Sequence, residues 1–321
     1  MTLGENIRNR RIKLHLSQQE LADALGFKTR SSITKIEKNK SNLPQNKLFA
    51  LANILNTTVD HLITGKLQEK DHSYSGKIIS KNTTQHNGLR RKCAAVILAG
   101  GKLHVNKYKI PYQFVTVKEK PIIIYTMEAY QRHPLVDEIY VVCVEGWEDF
   151  LPAYTKKYNI TKFNGIIPAG EKGVESVKNA IEWLTSTHKT SDIIILQEST
   201  RPLVDAETIS NAIHCCKKYG SAVTYTYLEE TTPFIIDKDK KSIKHIDAYS
   251  LITLQSPEVF TLGALRLAFI DAYKINHPLT ETSCSVFMHH IGRELSFCEG
   301  NHNNLRVIYE EDLRLFEALI G

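Results

Sequence analysis

The sequence lacks any apolar run approaching the ~18 residues of a membrane-spanning helix, so it is not expected to cross a bilayer. It has no C-x-x-C pair. Cys93, Cys143, Cys215, Cys216, Cys284 and Cys298 are scattered, and none has a neighbouring His at zinc-finger spacing. They are expected to be reduced, mostly buried thiols, and residues 1–92 contain none at all. The opening MTLGENIRNRRIKLHL carries no cleavable apolar segment, so the expected location is the cytoplasm. No internal repeat is visible. What is present is a foldable chain: 42% hydrophobic and 24% charged residues exclude global disorder. A length of 321 residues predicts two domains or three small ones.

The net charge of +6 conceals a partition. Residues 1–92 hold 17 Lys and Arg against 7 Asp and Glu, a balance of +10; residues 93–321 hold 24 against 28, a balance of −4. Only the first part is therefore expected to meet a polyanion. The same boundary appears in the patterning. Up to residue 66 the apolar residues recur at helical spacing. Residues 67–92 are polar, rich in Ser, Asn, Thr and Gly, and read as a linker. From Cys93 onward, short apolar runs such as Glu138–Val144, Asp192–Glu198 and Ser221–Leu228 alternate with helical stretches. That alternation predicts an α/β domain over 93–321 with a mostly parallel sheet covered on both faces.

Five helices fit the head: Leu3–Leu14, one from Ser17 to Gly26, Arg30–Lys38, Pro44–Leu55 and Val59–Ile63. Ser17-Gln18-Gln19-Glu20 has the form of a capping box. The expected core is Ile7, Leu16, Leu21, Leu25, Ile33, Ile36, Leu48, Leu51, Ile54, Val59 and Leu62. Residues 3–63 resemble the helix-turn-helix domain of the phage-repressor (XRE, lambda Cro-like) family, with a slightly longer turn, FKTRSS, before the third helix. The resemblance implies that this third helix enters the major groove of double-stranded DNA. It nominates Arg30, Ser31, Ser32, Thr34 and Lys35 to face bases. Gln18, at the start of the second helix, suits a phosphate, and Lys38, Asn39 and Lys40 suit the backbone. The alternative is a solvated basic surface used for protein contacts.

The body opens with a strand ending in Ala99-Gly100-Gly101, where glycines let backbone amides approach a phosphate. Further along stand Pro111-Tyr112-Gln113-Phe114, Glu198-Ser199-Thr200-Arg201-Pro202-Leu203, Gln255-Ser256-Pro257-Glu258-Val259-Phe260 and Asn304-Leu305-Arg306-Val307. Their order and spacing resemble the cytidylyltransferases that form CDP-methylerythritol or CDP-ribitol, over about Cys93–Ile320. The resemblance implies a Rossmann-like nucleotidyltransferase fold with a projecting β-arm. It also implies attack of a sugar phosphate on CTP with Mg²⁺, in a site where cations neutralise the phosphates. Candidate nucleotide contacts are Ala99, Gly100, Gly101, Lys102, Ser176 and Glu198, with Glu198 also the candidate metal ligand; candidate substrate contacts are Arg201, Thr280, Glu281 and Arg306. For Glu198 a cap on the next loop, and for Arg201 a structural anchor, are the alternatives.

The departures from that pattern are of one kind. Val105 stands where the resemblance expects a catalytic arginine, Tyr112 where it expects a lysine, and Gly173 and Ala248 where it expects further arginines. Glu198 and Glu281 replace aspartates, and Arg306 replaces a lysine. Loop-building residues are kept while phosphate-handling cations are lost. Removing one preorganised donor costs ~10²–10³ in turnover in well-studied enzymes. Lys102, Lys107, Lys109 and His104 lie in the same loop as possible substitutes, but a point charge replaces a bidentate arginine poorly. Leu228–Ile246 reads as two short strands around Asp237–Lys241. The resemblance implies an arm that interlocks two subunits; a monomer's surface hairpin is the alternative.

Together these features predict a DNA-binding regulator. Its degenerate cytidylyltransferase-like body would act as a homodimerisation module and as a sensor of a cytidine nucleotide or polyol phosphate, and the heads would read a palindromic operator. The alternatives are a working CTP- and Mg²⁺-dependent cytidylyltransferase with an autoregulatory head, and a pure dimerisation scaffold.

Overall fold

The computed structural model describes residues 2–40 except 15, 26 and 28; then 51, 54, 55, 57 and 62; and 91–321 except 102–108 and 229–230. The chain divides into two compact units, one of residues 1–78 with 107–110 and 146–157, the other of 79–106, 111–145 and 158–321. In the first, α1 spans Leu3–Lys13, α2 Gln18–Ala24 and α3 Arg30–Glu37. Both of the first two helices start in a reciprocal cap. The hydroxyls of Thr2 and Ser17 accept from the amides of Glu5 and Glu20, whose carboxylates accept from the amides of Thr2 and Ser17.

Ile7, Leu21, Leu25, Ile33, Ile36, Leu51, Leu55 and Leu62 form the buried core of the head, with Leu16 and Ile54 at its margin. Leu48, Val59, Gly26 and most of the expected fourth and fifth helices lie outside the described residues, as does the linker up to residue 90. Helices α1 and α3 each end one residue earlier than expected. Leu14 and Lys38 take ψ values of 7° and 6°, and Asn39 turns into the left-handed region at φ 53°. Gly4 permits the start of α1 to meet the end of α3, since a Cβ there would lie 2.5 Å from the carbonyl oxygen of Ile36.

The body is a seven-stranded sheet. Its strands are β1 (Cys93–Ala99), β4 (Glu138–Cys143), β5 (Phe163–Pro168), β6 (Ile193–Glu198), β7 (Ser221–Tyr227), β10 (Ile252–Thr261) and β11 (Phe297–Glu299). Two separate pairs complete the set, β2 (Thr116–Val117) with β3 (Lys120–Pro121), and β8 (Phe234–Ile236) with β9 (Ser242–His245). The order across the large sheet is β11-β7-β10-β6-β1-β4-β5. All neighbours run parallel except β10, which is antiparallel to both β6 and β7.

The helices of the body are α4 (Ile122–Arg132), α5 (Phe150–Lys157), α6 (Gly173–Thr185), α7 (Ala206–Tyr219), α8 (Leu262–Lys274), α9 (Cys284–His290) and α10 (Glu310–Leu319). Side chains alternate across the sheet with a period of two. Ala94, Val96, Tyr140, Val142, Ile194 and Leu196 pack with Val177 and Ile181 of α6, Leu265 and Ala268 of α8, and Phe287 of α9. The other face meets α4, where the hydroxyl of Tyr130 donates to Gln197 Oε1 at 2.6 Å and that of Thr126 to the Ser199 carbonyl at 2.8 Å. Because both faces are covered, β1, β4 and β6 are buried almost throughout.

Candidate functional site

In the head, the placement of α3 follows from one buried ion pair. Arg11 of α1 donates from Nε to Glu37 Oε1 at 2.6 Å and from Nη2 to Oε2 at 3.3 Å, and its Nη1 holds the Leu16 carbonyl at 2.7 Å. Gln18 donates to Glu37 Oε2 at 2.7 Å and accepts from the Thr34 hydroxyl at 3.0 Å, so the start of α2 is tied to the middle of α3. This fixes α3 by its inner face. Its outer face leaves Arg30, Ser31 and Lys35 exposed, with Lys38, Asn39 and Lys40 exposed after it and Ser32 half-buried. The Asn39 side chain is engaged locally, accepting from the Gly4 amide at 3.0 Å and donating to the Thr2 hydroxyl at 2.7 Å. The hydroxyl of Ser31 pairs with that of Thr29 at 2.7 Å. The Arg11–Glu37 pair was not singled out in the sequence; its partners are 26 residues apart and only the fold brings them together.

In the body, the carboxyl end of β1 builds a small backbone cradle. Ala99 is buried, Gly100 half-buried and Gly101 exposed. The buried side chain of Gln113 donates to the carbonyls of Ala99 (3.1 Å) and Gly101 (3.0 Å), fixing the turn that the glycines make. Gly100 is needed because a Cβ would lie 2.7 Å from Cβ of Ala169 and 3.2 Å from the hydroxyl of Ser176. Ser176, at the start of α6, accepts from the Gly170 amide at 3.0 Å. Ala99, Gly100, Gly101 and Ser176 are thus brought together, whereas Lys102, His104, Val105 and Lys107 lie outside the described residues.

Glu198 ends β6 and accepts from two arginines. Arg201 Nε reaches Oε2 at 2.5 Å and Arg306 Nη2 reaches Oε1 at 2.9 Å. Arg201 is buried and also donates to the Asn304 carbonyl at 2.7 Å, so it anchors the loop after β11 to the end of β6. Asn304 continues the network to Gln255 Oε1 and the Ser256 carbonyl, at 3.2 and 2.8 Å. A second carboxyl, Glu258 of β10, is buried nearby and receives both the amide and the hydroxyl of Ser285 at 2.9 Å. Burial pushes its pKa up to about 7, and the charge of Glu198 adds to the rise. The sequence reading passed over Glu258, although a carboxylate inside an apolar strand was its signal.

Of the positions where cations were expected, Tyr112 and Gly173 are packed against protein, Ala248 is half-buried, and Val105 lies outside the described residues. Tyr112 lies in an apolar cluster with Val117, Ile122, Val307 and Phe316. Burial pushes its phenol pKa up, as do Glu310, Glu311 and Asp312 at the start of α10. At Gly173 a Cβ would fall 2.4 Å from the Thr282 carbonyl oxygen, so no larger residue fits without a backbone shift. Ala248 sits half-buried in a single 3₁₀ turn, Ala248–Ser250. The carboxylate of Glu281 is buried and meets His277 Nε2 at 3.2 Å and His290 Nδ1 at 3.0 Å. Burial raises its pKa, but the hydrogen bond from His290 and the nearby His277 outweigh this and hold it below the ordinary value. Thr280 is exposed and donates its amide to Glu281 Oε2 at 3.1 Å.

Residues 93–321 match the family described as 2-C-methyl-D-erythritol 4-phosphate cytidylyltransferase, and residues 7–62 match a helix-turn-helix family. The chain belongs to the cytidylyltransferase family. Over 227 residues it is 34% identical to ribitol-5-phosphate cytidylyltransferase of Lacticaseibacillus paracasei, covering 70% of this chain and 97% of the relative. It is 30% identical to the 2-C-methyl-D-erythritol 4-phosphate cytidylyltransferase of Clostridium acetobutylicum, over 71% of this chain and 96% of that one. The crystal structure of the Francisella tularensis 2-C-methyl-D-erythritol 4-phosphate cytidylyltransferase superposes with a TM-score of 0.58 at 21% identity, covering 71% of this chain and 99% of that one. That likeness establishes the fold of the body, a Rossmann-like α/β sheet; the helix-turn-helix before it rests on the family match over residues 7–62.

Cytidylyltransferases of this family use CTP with a divalent metal. Mg²⁺ takes hard oxygen ligands in near-octahedral geometry. Here the carboxylate of Glu198 faces two guanidiniums, and Glu258 is held by Ser285. This donor set does not fit a resident Mg²⁺.

Proposed function

We propose that the protein is a DNA-binding transcriptional regulator whose cytidylyltransferase body has given up ordinary turnover, pairs two heads as a homodimer, and senses a cytidine nucleotide or polyol phosphate. The observation that carries this reading is the state of two phosphate-handling positions. Tyr112 is packed in an apolar cluster and Gly173 abuts the Thr282 carbonyl, so neither can present a cation. The kept cradle of Ala99, Gly100, Gly101 and Ser176 supports recognition of a phosphate without the charges that drive its transfer. The hairpin β8–β9, with Phe234, Ile235, Ile236 and Ile243 all exposed, supports coverage by a second subunit. Paired heads would read a two-fold symmetric operator, with half-sites roughly one helical turn or a multiple apart.

The test joins two measurements on the full chain. Footprinting on operator fragments selected from a random DNA pool should show two symmetric protected half-sites. Pyrophosphate release from CTP with Mg²⁺ and ribitol 5-phosphate or methylerythritol phosphate should stay at background, while CTP or a polyol phosphate raises the melting temperature. Steady turnover would instead favour a working enzyme with an autoregulatory head, the reading supported by the 34% identity to a named ribitol-5-phosphate cytidylyltransferase. Failure to protect any DNA, with a monomer in solution, would remove the regulator.

A further inference from the structure

We propose that His277, Glu281 and His290 form a binding site for a divalent transition metal of the zinc class. These residues come from three places: His277 follows α8, Glu281 lies in the loop before α9, and His290 is the last residue of α9. Their ligand atoms all lie within 4.8 Å of one another. A single oxygen, Glu281 Oε1, faces both imidazoles, His277 Nε2 at 3.2 Å and His290 Nδ1 at 3.0 Å. With metal–ligand bonds of about 2.0–2.1 Å, the edge of a tetrahedron is about 3.4 Å, so both pairs are close to that spacing already.

The surroundings are those of an oriented ligand set. The other carboxylate oxygen, Oε2, accepts the amide of Thr280 at 3.1 Å and so turns Oε1 toward the rings, as an outer hydrogen bond does for a monodentate ligand. The His277 ring leans on Phe287, with centroids 5.9 Å apart, and its backbone amide is held by the Ala272 carbonyl at 2.9 Å. Among the described residues its Nδ1 has no hydrogen-bond partner, so the ring is anchored through Nε2 alone. A cation bound at Nε2 would fix the His277 tautomer with its proton on Nδ1. Two imidazoles and one carboxylate favour zinc-like ions over Mg²⁺ or Ca²⁺, which prefer all-oxygen shells.

The site is open on one side. His290 is half exposed at 52%, whereas Glu281 is 4% exposed at its side chain, so an ion would enter past His290 and keep a position for solvent or another ligand. The carbonyl of Glu281 accepts from the Val174 amide, so the metal-bearing loop is joined to the start of α6 beside Gly173. The residue that the family resemblance assigns to the substrate becomes a metal ligand in this chain. This inference is independent of whether the body turns over CTP.

The experiment titrates the full chain, reduced and stripped of metal by a chelator, with Co²⁺ followed by visible absorption. The expected result is one saturable equivalent with ligand-field bands, no near-ultraviolet thiolate charge-transfer band, and displacement by Zn²⁺. His290→Ala removes an exposed ring and should keep the folded circular-dichroism spectrum at the titration temperature while weakening Co²⁺ binding by roughly 100-fold or more, since even outer-shell losses cost 10–100-fold. Glu281→Gln should weaken it similarly. No saturable binding, a thiolate band, or binding of equal strength in His290→Ala overturns the proposal and leaves the three residues as an ion-pair cluster only.

Discussion

Glu258 is a carboxyl that the fold buries beside a second one, with Ser285 supplying its two hydrogen bonds. Its pKa rises from the ordinary 4.5 to about 7. Between those values the folded protein binds more protons than the unfolded chain, so stability falls as pH rises through the window. The contribution is fully present below about pH 4.5, lost progressively, and gone above about pH 7, amounting to about 3 kcal/mol at most. Glu258→Gln keeps the shape without the titration. The melting temperature of the wild type should therefore fall between pH 5 and 7.5 relative to that of Glu258→Gln, by roughly 2–4 °C per kcal/mol. Parallel curves for the two proteins would show that Glu258 does not titrate in that range. Gly173 shows the limit of sequence reading at this scale. The loss of an arginine is legible from spacing, but the reason no side chain fits, a carbonyl from residue 282, depends on a loop over 100 residues away. His277 and Glu281 stand four residues apart, but His290 joins them only when α9 is packed, so the set of three was not legible.

The elements that were legible are those whose composition matches their environment. Glu138–Cys143, Ile193–Glu198 and Ser221–Tyr227 are apolar, β-rich and bounded by turns, and they appear as strands within a residue of expectation. Strand β10 was not predicted; Gln255–Phe260 was given only as a segment of the family resemblance, and Ser256-Pro257 breaks its strand pattern. The chain accommodates the proline by a register shift between Gln255 and Glu258, where pairing with β7 lapses. Sequence patterning also identified the hairpin: β8 and β9 flank the turn at Asp237–Lys241, and the Asp237 side chain accepts the amides of Asp239 and Lys241 at 2.9 and 2.8 Å. An isolated two-stranded ribbon is marginal in water. With Phe234 at 53% and Ile243 at 65% exposure, this one gains most from a covering partner. Sedimentation of the full chain at micromolar concentration should give a dimer, and Phe234→Asp combined with Ile243→Asp should give a monomer with an unchanged melt. A wild type that sediments as a monomer would remove the arm from the argument.

At the scale of the whole molecule, the charge partition and the site geometry concern the same chemistry at opposite ends. A balance of +10 in residues 1–92 accompanies exposed Arg30, Lys35, Lys38 and Lys40 around α3, while the body at −4 holds its key carboxylate, Glu198, against its own Arg201 and Arg306. Among the described residues, the body's Arg201 and Arg306 are paired internally with Glu198, and Tyr112 and Gly173 stand where the family resemblance expects cations. Polyanion affinity should therefore reside in the head, where each Lys–phosphate contact releases a counterion and adds about 0.9 to the slope of log affinity against log salt. Lys38→Ala and Lys40→Ala should each weaken binding to every DNA sequence alike and lower that slope by about one. Under the proposed DNA docking, which sets the N-terminal end of α3 against the bases, Arg30→Ala should instead alter which sequences are preferred. Arg306→Ala, which strips a cation from the body, should leave the slope unchanged. A slope that falls with Arg306→Ala and not with Lys38→Ala would place the nucleic acid on the cytidylyltransferase body, and the partition of charge would then have to be explained by something other than DNA.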